Sequence, residues 1–171
     1  MLQQGARYHV SARVNNKEFL IHNDSMKLLF EEILFRAKTK FSFSIENFVL
    51  MGNHFHLIIR PGKNENLSRI MQWILSVFAM AYNRRHGRSG HFWGNRFFST
   101  MLDTLQQLIK TFEYIDLNPV NACLVNNVWE WHFGGIFHHR SGKRHLVTKL
   151  PDWITIIIST HFQLLLDSPL K

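Results

Sequence analysis

Cysteine is nearly absent from this chain: Cys123 stands alone among 171 residues. A single thiol cannot build an internal disulfide framework, and it excludes a zinc site made of several thiolates. Membrane-length apolar runs are also missing. The stretch at 153–158, WITIII, is far shorter than the ~20 residues a bilayer-crossing helix needs. No N-terminal stretch joins a cationic start to an apolar segment in the manner of a signal peptide, so a cytoplasmic protein without membrane attachment is expected. Acidic residues are scarce, twelve against twenty Lys and Arg, for a net charge of +8. That imbalance favours a polyanionic partner such as nucleic acid or an anionic membrane. Apolar residues, in contrast, make up 46% of the chain and include fifteen Phe and five Trp, ample for one hydrophobic core.

The hydrophobic pattern switches between two periods. Residues 7–14, RYHVSARV, alternate strictly, with Tyr8, Val10, Ala12 and Val14 on one face and Arg7, His9, Ser11 and Arg13 on the other. Asn15 to Lys17 read as a turn. Asp24 or Ser25 is placed to cap a helix running to about Thr39, with Met26, Phe30, Ile33, Leu34 and Ala37 as its apolar stripe. Residues 43–51 and 54–60 read as two strands joined by Gly52-Asn53, where glycine is expected to supply the positive φ of a tight turn. A helix over 67–85 follows, with Leu67, Ile70, Met71, Ile74, Val77, Phe78 and Ala81 inward. Then come a strand over 95–101 and a helix over 105–117, capped by Asp103 or Thr104 and expected to stop at Pro119. The order β-α-β-β-α-β with an added helix predicts an α+β, ferredoxin-like antiparallel sheet with helices packed against it.

The chemistry centres on GNHFHLIIRP at 52–61. Alternate strand residues share a face, so His54 and His56 lean to the same side, roughly 6–7 Å apart along the chain. Two neutral imidazoles so placed can share a metal ion; they can equally be half-buried strand histidines. On the 105–117 helix, Leu105, Leu108, Ile109, Phe112 and Ile115 form the apolar stripe, and Tyr114 lies nearly opposite, with Gln107, Lys110, Thr111 and Asn118. Tyr114 reads as a surface tyrosine or as a nucleophile with an amide one turn away. A phenol of ordinary pKa near 10 is only about one part in a thousand ionised at neutral pH. It becomes useful when a cation stabilises the phenolate or polarises the electrophile. A divalent ion on two imidazoles and one amide oxygen would leave positions open for phosphate oxygens.

Five blocks in order, YHVSARVNN (8–16), FVLMGNHFHLII (48–59), LSRIMQ (67–72), YNRRHGRSGHFWGNRF (82–97) and YIDLNPVNACLV (114–125), resemble the HUH single-tyrosine transposases (IS200-like), especially the REP-associated tyrosine transposases. The resemblance implies a ferredoxin-like catalytic domain over residues 1–128. It also implies metal-dependent cleavage and rejoining of single-stranded or hairpin DNA through a 5′-phosphotyrosine. In that pattern Tyr114 matches the nucleophile, His54 and His56 the metal-binding histidines, and Asn118 a third, amide-type ligand; Mg or Mn is the implied cofactor. A monomer is expected rather than a dimer that exchanges the tyrosine helix. Gly52 replaces a common proline, and WEWHFGG replaces a Trp-Ser-Ser pattern after residue 128. Residues 129–171 are therefore left as a C-terminal tail that either contacts DNA or does not.

Single-strand binding combines cationic grooves with aromatic platforms. Arg84, Arg85, Arg88 and Arg96 interleave with His91, Phe92 and Trp93, and Arg7 and Arg13 project from the first strand's polar face. Trp93 reads equally well as a core anchor. The tail adds His138, His139, Arg140, Lys143, Arg144 and His145. The alternative function is a non-enzymatic nucleic-acid-binding protein derived from such a transposase. An RNA-binding sheet is disfavoured because strand 54–60 lacks the aromatic signature of that class. A His-x-His zinc hydrolase is disfavoured because Leu57, Ile58 and Ile59 follow His56 where a further ligand would stand.

Overall fold

A computed structural model describes residues 5–142 and 145–166; Lys143 and Arg144 lie outside the described residues. The alternating segment forms β1 (Tyr8–Arg13). It is followed by α1 (Asp24–Lys40), β2 (Phe43–Leu50), β3 (His54–Pro61), α2 (Leu67–His86), β4 (Phe98–Met101), α3 (Leu105–Asn121), α4 (Gly135–Arg140) and α5 (Asp152–Leu166). The four strands lie in the order β2-β3-β1-β4, each neighbouring pair antiparallel. This is the ferredoxin-like arrangement expected from the element order. Phe55, Leu57 and Ile59 of β3 join Val10 and Ala12 of β1 and the buried stripes of α1 and α2 in one core. On the opposite face Ile58, Val49 and Met51 meet Leu108, Phe112 and Ile115 of α3, with Leu150 and Ile154 beside them. The sheet is thus covered on both sides, and α3 lies directly over the face that carries His54 and His56.

Several local expectations are corrected by the structure. The cap of α1 is Asn23, whose side chain accepts from the Met26 amide, rather than Asp24 or Ser25. Glycine at 52 is not needed for a positive φ, since it does not adopt one. What crowds it is the Phe19 ring, which a Cβ at position 52 would meet at 2.7 Å. Leu75 and Tyr82 are buried on α2, whereas Val77 and Ala81 are only partly so, because the stripe drifts around a 20-residue helix. The last strand begins at Phe98 rather than 95. Pro119 does not stop α3; it sits buried inside the last turn. A proline there costs only the bond its own nitrogen would have made, and the end is closed by the Leu124 amide donating to the Pro119 carbonyl, with Cys123 at φ 54°. Leu105, assigned to the apolar stripe, is exposed at the helix start. Thr104 provides the cap in a reciprocal box with Gln107.

The segment after residue 128 packs along β2. Gly134 bridges Val49, the Leu50 amide donates to the Phe133 carbonyl, and a Cβ at Gly135 would collide with Asn47. A bulge in β2 between Ile45 and Asn47 turns Asn47 toward α3.

Candidate active site

Register across β1 and β3 sets the site. Ser11 pairs with His56 and Arg13 with His54, so Arg13, Ser11 and His9 share a face with both histidines. The rings of His54 and His56 lie 5.2 Å apart between centroids. From above, α3 delivers Tyr114, whose hydroxyl is 3.4 Å from His56 Nε2, and Asn118, whose Oδ1 is 3.3 Å from His54 Nε2. Tyr114 remains 49% exposed, so its hydroxyl borders solvent rather than core. These four groups were expected from the sequence, and the fold brings them together.

The hydrogen bonds fix how the rings present themselves. Asn53 Nδ2 donates to the Lys17 carbonyl, which leaves Asn53 Oδ1 to accept from His54 Nδ1–H at 2.8 Å. A neutral imidazole has one N–H. His54 Nε2 therefore faces the Asn118 oxygen lone pair to lone pair. An imidazolium would satisfy both oxygens, but burial, with Arg13 as a further cause, holds the His54 pKa below its ordinary value. Two acceptors aimed at one point are a donor set that a cation satisfies. His54, His56 and Asn118 thus fit a divalent ion. Among the described residues no three His, Cys, Asp or Glu side chains cluster to hold a metal.

His56 is held from its other side by His9, whose Nε2 is 3.0 Å from His56 Nδ1. With Nδ1–H donating to His9, Nε2 keeps its lone pair pointing at the site. Burial, then the neighbouring His9, His54 and Arg13, push the His56 pKa down to about 3. Such a ring stays neutral at pH 7, the form in which an imidazole can ligate a cation. His9 is itself depressed by burial. The sequence places His9 on the polar face of β1 without a role. Its signal was the shared alternation with Arg13, but only the β1–β3 register reveals the partner.

The proposed DNA contacts divide. A cleft of about 620 Å3 is lined by His54, His56, Tyr114, Arg13, Arg96 and Phe98 among others, and a second of about 810 Å3 by Trp93, Arg96 and Gln72. Segment 94–97 borders both. Phe98 is 67% exposed beside the tyrosine. Arg84 and Arg85 are exposed at the end of α2. Arg88 is paired with Glu18 at 3.4 Å, and Arg7 with Glu46 at 2.6 Å, so neither guanidinium is turned to the cleft. Trp93 donates its Nε1–H to the Leu75 carbonyl and packs edge-on against Phe55, the core-anchor reading.

The sequence profile of the family described as Transposase IS200 like matches residues 3–118. The chain belongs to that family. It is a transposase, an enzyme that nicks DNA and transfers the strand, and its fold agrees. One similar solved structure, a REP-associated tyrosine transposase bound to a REP hairpin, has a TM-score of 0.68 at 20% identity, covering 86% of each chain. Another, assigned as a transposase from Deinococcus radiodurans R1, has a TM-score of 0.51 at 11% identity over 68% of this chain and 92% of that one. No curated protein matches. Members of the family generally use a divalent metal. Among the described residues of this transposase, no helix is long and apolar enough to cross a membrane.

Proposed function

We propose that this transposase cuts and rejoins single-stranded DNA, at hairpin-forming sequences, through a 5′-phosphotyrosine on Tyr114. The observation that carries the reading is the meeting of the Tyr114 hydroxyl with His56 Nε2 and of Asn118 Oδ1 with His54 Nε2, where Tyr114, His54 and His56 line one open cleft. His54, His56 and Asn118 would hold the ion, Mg or Mn. Bound there, it would polarise the scissile phosphate and offset the charge that develops on its oxygens.

The chain's own groups do the rest. Arg13, across the strand pair from His54, adds positive charge for the incoming phosphodiester. The Tyr114 oxygen bonds to phosphorus as the phosphorus–O3′ bond breaks. The phenolic proton passes to solvent, and the departing 3′ oxygen takes one up. Reversal by another strand's 3′-hydroxyl restores the phosphodiester and frees the tyrosine. Asn53 and His9 keep the two imidazoles in the tautomers that present Nε2.

Because Tyr114 reaches His56 of its own chain, one copy supplies every residue of the site, which supports a monomer acting alone. Arg13, Arg96 and the exposed Phe98 ring supply the cation-plus-platform combination suited to unpaired bases. The test is incubation with a hairpin oligonucleotide bearing single-stranded flanks. A covalent protein–DNA species should form with Mn or Mg and vanish with chelator; cleavage that proceeds unchanged in chelator would refute the metal's part.

A further inference from the structure

The opposite flank of α3 has a separate cleft, of about 430 Å3, within the size range of ligand pockets. Its floor is polar. Asp116 is only 5% exposed, and its Oδ1 accepts from Asn47 Nδ2 at 3.0 Å. Among the described residues its Oδ2 has no hydrogen-bond partner, and Asp116 is part of the cleft's lining. The walls are apolar, with the aromatic rings of Phe112 and Trp129 beside Ile136 and Leu150. The mouth is cationic. The Arg140 guanidinium lies 4.4 Å over the Trp129 ring, and exposed Lys149 pairs with Asp152 at 3.4 Å. None of these groups takes part in the chemistry at Tyr114.

A buried acceptor beneath apolar walls and a cationic rim selects its occupant. It must be flat, donate a hydrogen bond at its inner end, and carry negative charge at its outer end. A simple amine would be repelled at the mouth. We infer that the cleft receives one extruded nucleobase of the single strand, its exocyclic amino group donating to Asp116 Oδ2 and its phosphate meeting Arg140. Asp116 is two residues beyond Tyr114, about 200° around the helix at 100° per residue. The strand therefore crosses the roughly 10 Å width of α3 between the cut site and the held base. A base seated there braces the helix that carries the nucleophile and reads one position of the flank. Adenine, cytosine and guanine carry the amino group; thymine does not.

This inference rests on the single-strand reading above, and the test separates the two. Hairpin oligonucleotides are made with all-thymine flanks, except for one position changed in turn to adenine, cytosine or guanine. At one flank position the amino-bearing bases should bind the full chain at least tenfold more tightly than thymine. Asp116→Asn keeps the bond from Asn47 but turns an N–H2 donor into the cleft, and should erase or invert that preference. An 8-azidoadenine at the selected position should photo-crosslink wild-type protein at a residue lining the cleft, such as Phe112, Trp129, Ile136 or Leu150, an outcome independent of how any variant folds. Equal affinity at every position, a preference unchanged in Asp116→Asn, or cross-links confined elsewhere would overturn the inference. Adduct formation on the all-thymine strand reads strand transfer separately: adduct without base preference removes the cleft alone, and base preference without adduct removes strand transfer alone.

Discussion

The Tyr114 hydroxyl stands 3.4 Å from His56 Nε2, across 58 positions of sequence. Nothing local brings them together. β3 presents His56 on the sheet face opposite the main core, and the apolar stripe of α3 lies on that same face through Leu108, Phe112 and Ile115, which turns Tyr114 sideways toward β1. The geometry therefore depends on the packing of α3 as much as on the histidines themselves.

His9 is expected to matter through His56 rather than through DNA. His9→Ala should weaken Mn binding by about 10–100-fold, the usual cost of losing a partner that orients a ligand. The affinity of the protein for a hairpin oligonucleotide in chelator should barely change. Calorimetric titration of Mn, with DNA binding measured separately by anisotropy, checks this, and His9→Gln should recover part of the loss.

Asn118 and His54 face each other acceptor to acceptor, so their removal should have opposite consequences for the fold and for the metal. Asn118→Ala should cost little stability, or even relieve the fold slightly, while Mn affinity falls about tenfold or more. Thermal melts with and without Mn give both numbers. A variant that melts much lower without metal, yet binds Mn normally, would remove Asn118 from the ligand set.

Asp116 gives the stability a pH dependence. Burial raises its carboxyl to about 7, against the opposing bond from Asn47. A carboxyl raised in the fold binds more protons folded than unfolded, so its contribution is fully present below the ordinary Asp range near 4 and is lost as pH rises through about 7. Wild-type protein should lose roughly 2–4 kcal/mol relative to Asp116→Asn between pH 4.5 and pH 8. Denaturant unfolding of both proteins at the two pH values measures the difference, and a constant gap would show that Asp116 is not held neutral.

DNA affinity should fall steeply with salt. If about six phosphates are neutralised on a single strand, the slope of log affinity against log salt is near −4. Arg13→Ala and Arg96→Ala should each flatten it by about 0.7, whereas Arg7→Ala and Arg88→Ala should leave it nearly unchanged, because Glu46 and Glu18 already neutralise them. Anisotropy over a salt series resolves these slopes.

What could be read from the sequence was what periodicity carries. Period two puts His54 and His56 on one face, and period 3.6 puts Tyr114 and Asn118 on another, so both halves of the site were legible before folding. Their meeting was not, since it depends on which sheet face α3 covers. His9 was invisible for the same reason: its contact with His56 spans 47 positions and follows from strand register. The bulge at Glu46, which turns Asn47 toward Asp116, breaks the simple alternation of β2 and leaves no signature in residue type. Pro119 misled because a proline near a helix end removes only its own amide bond, and α3 continues past it to a close made by the Leu124 amide. Arg7 and Arg88 count as free cations in a sequence and as neutralised pairs in the fold.

The most direct test is peptide mass mapping of the covalent species formed with a hairpin oligonucleotide in Mn. The account predicts a nucleotide mass on the peptide containing Tyr114, joined to a 5′-phosphate, and no adduct from Tyr114→Phe although that protein still binds the oligonucleotide. An adduct on any other residue, or one that persists in Tyr114→Phe, would contradict it.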